Sequence, residues 1–95
     1  MRPRIYVDFN EMVEKDLVLL SRGDIRQDSE GNQITLSEGL RISVYMDDAD
    51  DSGNPRNLVA EGTVEINTSD DWSSPVNWCC RLDEDSFRYE VVPKP

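Results

Sequence analysis

Apolar and polar residues alternate with a period of two along most of this chain. Leu40, Ile42, Val44 and Met46 alternate with Arg41, Ser43, Tyr45 and Asp47. After a polar stretch, Leu58, Ala60, Gly62, Val64 and Ile66 alternate with Val59, Glu61, Thr63, Glu65 and Asn67. A strand sends successive side chains to opposite faces, so the two runs predict an antiparallel pair of half-buried strands. The same rhythm recurs at Ile5, Val7 and Phe9, at Val76, Trp78, Cys80 and Leu82, and at Phe87, Tyr89 and Val91. Leu17-Val18-Leu19-Leu20 is a continuous apolar run too short for a typical helix and predicts a further strand. Ile34 and Leu36 predict a short one, ended at Ser37-Glu38-Gly39, where glycine supplies a positive φ for a tight turn. Residues 10–16 are expected to form a turn or one short helical turn, and residues 23–33 a loop with a β-ribbon arm. Gly62 lies in the inward set and predicts a bend or the close passage of another strand. No segment carries a 3.6-residue apolar stripe, so helix should be minor.

Five or six mainly antiparallel strands in 95 residues, with a long early excursion and then a meander, predict a single all-β domain spanning 1–95. Strong bending lets short strands share one core, so a small barrel is expected. Glu38-Gly39-Leu40-Arg41-Ile42-Ser43-Val44-Tyr45 and Ala60-Glu61-Gly62-Thr63-Val64-Glu65 are similar to the glycine-punctuated central strands of SH3-like barrels. The chain also resembles small uncharacterised bacterial proteins of that architecture. The resemblance implies a fold and transfers no activity. The clustered aromatics of a proline-peptide groove are missing, as is the basic surface of ribosome-associated relatives.

Charge narrows the classes of partner. Twenty Asp and Glu against ten Lys and Arg leave a net charge of −10. Nucleic-acid backbones are bound by replacing counterions with Lys and Arg, so an acidic chain without a basic stripe is not expected to bind them. A basic protein partner, or cations, suit it better. No apolar run is long enough to span a bilayer, and Met1-Arg2-Pro3-Arg4 leads into a strand-like segment, so no membrane association and a cytoplasmic location are expected, a bacterial one being what the resemblance implies. The expected state is a monomer or weak dimer. Cys79 and Cys80 are adjacent, too close for an unstrained disulfide, and strand phase sends Cys80 inward and Cys79 outward beside Arg81. With no histidine and no second cysteine pair, the common structural zinc sites cannot form within one chain.

Candidate chemistry concentrates in the acidic connection 47–57. Asp48, Asp50 and Ser52, with Asn54 behind them, place oxygen ligands at alternate positions before or after Gly53, as a calcium loop does. The twelfth loop position, where a bidentate glutamate belongs, is Val59. The two readings are weak calcium binding, or a solvated hairpin connection whose charges discourage edge pairing. Trp72, flanked by Asp70, Asp71, Ser73 and Ser74, is either an anchor for a basic or apolar peptide or a cap over the barrel's open end. Tyr45, with Tyr6 and Val59, falls in the outward phase and forms either an exposed patch or a surface covered by the 10–37 excursion. Trp72, Tyr45, Asp47 and Asp51 are thus the candidate binding residues. Twenty carboxylates make no single pair stand out as an acid–base couple, and no glycine-rich phosphate loop is present. A non-enzymatic interaction or accessory module with an acidic surface and no cofactor beyond weakly held calcium is expected, the alternative being a divalent-cation-binding domain on the 47–54 loop.

Overall fold

The computed structural model describes residues 4–68, 73 and 76–91. Every regular element among them is a strand: β1 (Arg4–Tyr6), β2 (Met12–Glu14), β3 (Leu17–Ser21), β4 (Ile25–Gln27), β5 (Gln33–Thr35), β6 (Arg41–Ala49), β7 (Pro55–Ile66), β8 (Trp78–Leu82) and β9 (Arg88–Val91). The protein is therefore all-β, with more strands than the alternation predicts, several of them only three residues long. Strands of three residues contain too few positions to display a period, which is why β2 reads as a turn in sequence. Met12 packs on the main core while Val13 packs on the opposite face, and that division makes residues 12–14 extended.

Seven strands form one sheet in the order β1-β6-β7-β8-β3-β2, with β9 also paired to β7. β4 and β5 make a separate two-stranded ribbon; β4 lies within 23–33, where a ribbon arm is expected, and β5 falls on the short strand expected at Ile34 and Leu36. β6 and β7 are the spine, antiparallel from Arg41↔Thr63 to Ala49↔Pro55. The far edge of β7 is shared: its first part pairs with β9 (Arg56↔Val91 to Val59↔Arg88), its second with β8 (Gly62↔Leu82 to Ile66↔Trp78). β1 pairs parallel with β6, the one parallel contact among the described strands.

One face of this sheet carries the core. Ile5, Val18, Ile42, Val44, Ala60, Val64, Cys80 and Leu82 are buried there in one cluster. Apart from Val18, which lies in a continuous apolar run, these are the residues whose alternation predicts an inward face. Gly62 sits among them, and its role is steric. A Cβ at this position would lie 2.6 Å from Cys80 Sγ and closer still to the Arg81 carbonyl oxygen, so β8 can approach β7 only if residue 62 has no side chain. Gly39 has φ +92°, as its predicted turn requires.

Some positions depart from the burial that the alternation predicts, these three among them. Ile66, at the end of β7, is exposed, because the core ends before it. Val76 precedes β8 and joins a second, small cluster on the opposite face with Leu17, Leu19, Cys79 and Val13. Cys79 is accordingly buried, not outward in solvent. Its side chain does point away from the main core, but Leu17 and Leu19 of β3, the neighbouring strand, pack beside it on that face with Val13 and Val76.

The sheet does not close into a barrel by strand pairing: β1 and β2 end the hydrogen-bonded path. The gap lies between the end of β1 and the end of β3, a cleft of about 360 Å³ lined by Tyr6, Val7, Leu19, Leu20, Ser21 and Arg26 among others. Arg26, on β4, bridges it. Its guanidinium donates to the carbonyl of Leu20 on β3 and, at 2.7 Å, to the carbonyl of Tyr6 on β1. The ribbon is also tied to β1 by Ser29 N donating to the Arg4 carbonyl at 2.8 Å. Partial burial pulls the Arg26 pKa below its ordinary value, with the Tyr45 hydroxyl opposing.

Candidate functional site

The acidic connection is shorter than the sequence suggests. β6 runs on to Ala49 and β7 begins at Pro55, so only residues 50–54 turn. Within that turn Asp50 is fully engaged with its own backbone. Its Oδ1 accepts from the amides of Ser52 and Asn54, both at 2.9 Å, and its Oδ2 accepts from Asn54 Nδ2 at 3.3 Å. Gly53 donates to the Asp50 carbonyl at 2.9 Å and takes φ +81°. The Asn54 amide, the first of these donors, with the Ser52 amide and Asn54 side chain behind it, holds the Asp50 carboxyl below its ordinary pKa.

The β4–β5 ribbon uses the same device. Asp28 Oδ1 accepts from Glu30 N and Asn32 N at 2.9 Å, its Oδ2 accepts from Asn32 Nδ2 at 3.4 Å, and Gly31 has φ +84°. The pattern Asp-x-x-Gly-Asn therefore occurs twice, at 28–32 and 50–54, and builds one hairpin turn twice. Sequence reasoning missed this short repeat, which explains the aspartate–glycine spacing that resembles a calcium loop.

The other proposed ligands are also committed. Asp48 lies opposite Arg56 and accepts from its Nε at 2.9 Å, which lowers the Asp48 pKa and raises that of Arg56. Ser52 gives its amide to Asp50. Among the described residues no three Cys, Asp or Glu side chains come together in a group that could hold a metal ion.

The binding candidates separate. Asp47 and Asp51 are exposed on the hairpin arm, and no ion pair reaches either among the described residues. Tyr45 is half-buried, its ring edge-on to Tyr6 with centroids 5.4 Å apart. The register places Tyr6, Tyr45 and Val59 side by side on β1, β6 and β7. Val59 is fully buried and only Tyr6 is well exposed, so this row is a covered surface more than an open patch. Trp72 lies outside the described residues.

Sequence reasoning did not find the aromatic face of β9. Tyr89 is 57% exposed and Arg56 stacks over its ring at 3.7 Å from the centroid. The signal was the alternation of Phe87 and Tyr89 itself, but which strand β9 joins is a matter of long-range pairing.

The arginines form a lattice across the sheet face opposite the core. Arg81 holds Glu14 and Asp16 at 2.8 Å and Glu65 at 3.2 Å. Arg4 grips Glu90 with two bonds, at 2.9 and 3.0 Å, and Arg88 reaches Glu61 and Glu90 at 3.5 and 3.6 Å. Arg41 pairs with Asp83 and donates to Thr63 Oγ1 at 2.8 Å. Exposed pairs of this kind fix register and add little stability singly.

Both cysteines are free, and burial pushes Cys79 up to about 11 and Cys80 up to about 12. At neutral pH each is a protonated thiol and a poor nucleophile. No helix long and apolar enough to cross a membrane occurs among the described residues. Comparison of the chain with protein families, curated proteins and solved structures finds no match.

Proposed function

We propose that this chain is a non-enzymatic interaction or accessory module whose acidic surface recognises a basic protein in the bacterial cytoplasm. The observation that carries this is how the charges are distributed. Arg4, Arg41, Arg56, Arg81 and Arg88 are taken up by the chain's own carboxylates, and Arg26 by backbone carbonyls. Asp47, Asp51, Glu84 and Asp85 are left without an ion pair among the described residues and face solvent. Opposite charge steers encounter and selects partners over long range. Protonated thiols, and Asp28, Asp48 and Asp50 carboxyls that are shifted downward, offer little to acid–base or nucleophilic chemistry. The SH3-like barrel belongs to this proposal too. It is supported by the order of a first strand, a long excursion and three successive antiparallel strands, and by the Arg26 bridge where the strand path is open.

The test is affinity capture at low and high salt with the native protein and with an Asp47→Asn/Asp51→Asn variant. A basic partner held at low salt, released at high salt and weakened by the variant is the expected result. A partner indifferent to salt and to the variant counts against the proposal. The cation-binding alternative predicts that millimolar calcium moves the amides of residues 47–54. The engagement of Asp48 and Asp50 leads us to expect them unmoved.

A further inference from the structure

The turn between β8 and β9 borders a cleft of about 350 Å³. Leu82 and Phe87 supply its apolar wall, Asp16, Asp83, Glu84 and Asp85 its anionic side, and Lys15 its one cation. Phe87 is 47% exposed, and its only described ring partner is Phe9, 5.4 Å away. Asp16 already accepts from Arg81 and Asp83 from Arg41. Glu84 and Asp85 are exposed, and no ion pair reaches them among the described residues.

We propose that this cleft takes a lysine or arginine side chain of a basic partner segment, its aliphatic stem against Leu82 and Phe87 and its cationic head between Glu84 and Asp85. Long basic side chains combine an apolar stem with a charged tip, and an aromatic wall beside carboxylates suits both parts. The occupant follows from charge complementarity: a chain of net charge −10 repels a second copy of itself and attracts a cation. The molecule shows the same contact internally, for Arg56 lies over Tyr89, two residues along β9 from Phe87. An extended segment following β9 presents alternate side chains at the spacing that separates Tyr89 from Phe87. The proposal rests on the acidic-module reading and adds the place and the chemistry of contact.

The experiment is a backbone amide titration of the full chain with hexaarginine, hexalysine and hexaglutamate peptides, using the native protein, Glu84→Gln/Asp85→Asn, Phe87→Ala and Lys15→Gln. Saturable shifts at residues 15–16 and 82–87 are expected with the two basic peptides alone. Loss of the two carboxylates should weaken affinity by about tenfold, and Lys15→Gln should strengthen it by about twofold. The carboxylate pair is exposed and should leave the thermal midpoint unchanged, so it decides the matter if Phe87→Ala fails to fold. Shifts centred on 47–54 with 82–87 unmoved overturn the cleft while leaving an acidic module standing. No shift with either basic peptide overturns both. Shifts at 82–87 that track protein concentration without peptide assign the cleft to a second copy and overturn the proposal.

Discussion

Asp28 and Asp50 do the same work at two hairpin tips, each collecting two backbone amides and an asparagine side chain on one carboxylate. Their lowered pKa values have a consequence for stability. A carboxyl that ionises more readily when folded contributes stability above its unfolded pKa, and that contribution is lost as pH falls through the folded value. Thermal midpoints should therefore fall as pH drops below about 4, and Asp28→Ala/Asp50→Ala should flatten that acid limb while lowering the midpoint at neutral pH. Cys79 and Cys80 act in the opposite sense. Their raised values mean that stability is complete below about 8.5, the ordinary thiol pKa, and declines as pH rises toward about 11 and 12. Alkylation by iodoacetamide at pH 8 should be slow in the folded protein and follow the unfolding rate; rapid labelling of either thiol would show that the covers over them open locally. Gly62 is the third residue of this kind. Gly62→Ala drives a methyl into Arg81 and Cys80 across two paired strands, and a loss of about 2–4 kcal/mol in denaturant unfolding is expected.

At the scale of elements, the β4–β5 ribbon acts as a strap. It holds β1 by Ser29 and spans β1 to β3 by Arg26, where the sheet has no strand pairing. Removing the guanidinium leaves two strand-end carbonyls without their charged donor, a loss of about 1–3 kcal/mol. Arg26→Lys cannot reach both carbonyls with a planar fork and should recover only part of the loss. Amide exchange at Tyr6, Val7, Leu20 and Ser21 should accelerate in Arg26→Ala while the β6–β7 spine stays protected. Uniform acceleration across the sheet would mean that Arg26 stabilises the whole fold and not the seam. None of this could be read from sequence. Arg26 alternates with exposed residues on a three-residue strand, and its targets are backbone atoms on elements before it.

The whole molecule joins one cluster on one face of the sheet to a second, smaller cluster on the other, where side chains of β2, β3 and β8 meet. Ile42→Ala removes a fully buried side chain from the spine and should cost about 2–5 kcal/mol, whereas truncating the exposed Ile66 should change stability by less than about 0.5 kcal/mol. The pair of variants tests the burial assignment directly. The strands around Ile5, Val18, Ile42, Val44, Val64, Cys80 and Leu82 were legible in the chain, because a period of two is a local property and one-sided burial enforces it. The turn at Gly39 and the close approach at Gly62 were legible for the same reason: each is a steric demand that the residue itself reveals. Only the tertiary structure decided that Cys79 and Val59 are covered and that Phe87 borders a cleft. Those outcomes depend on which distant strand comes to lie alongside, and residues far apart in the chain carry no local mark of the neighbour they will meet.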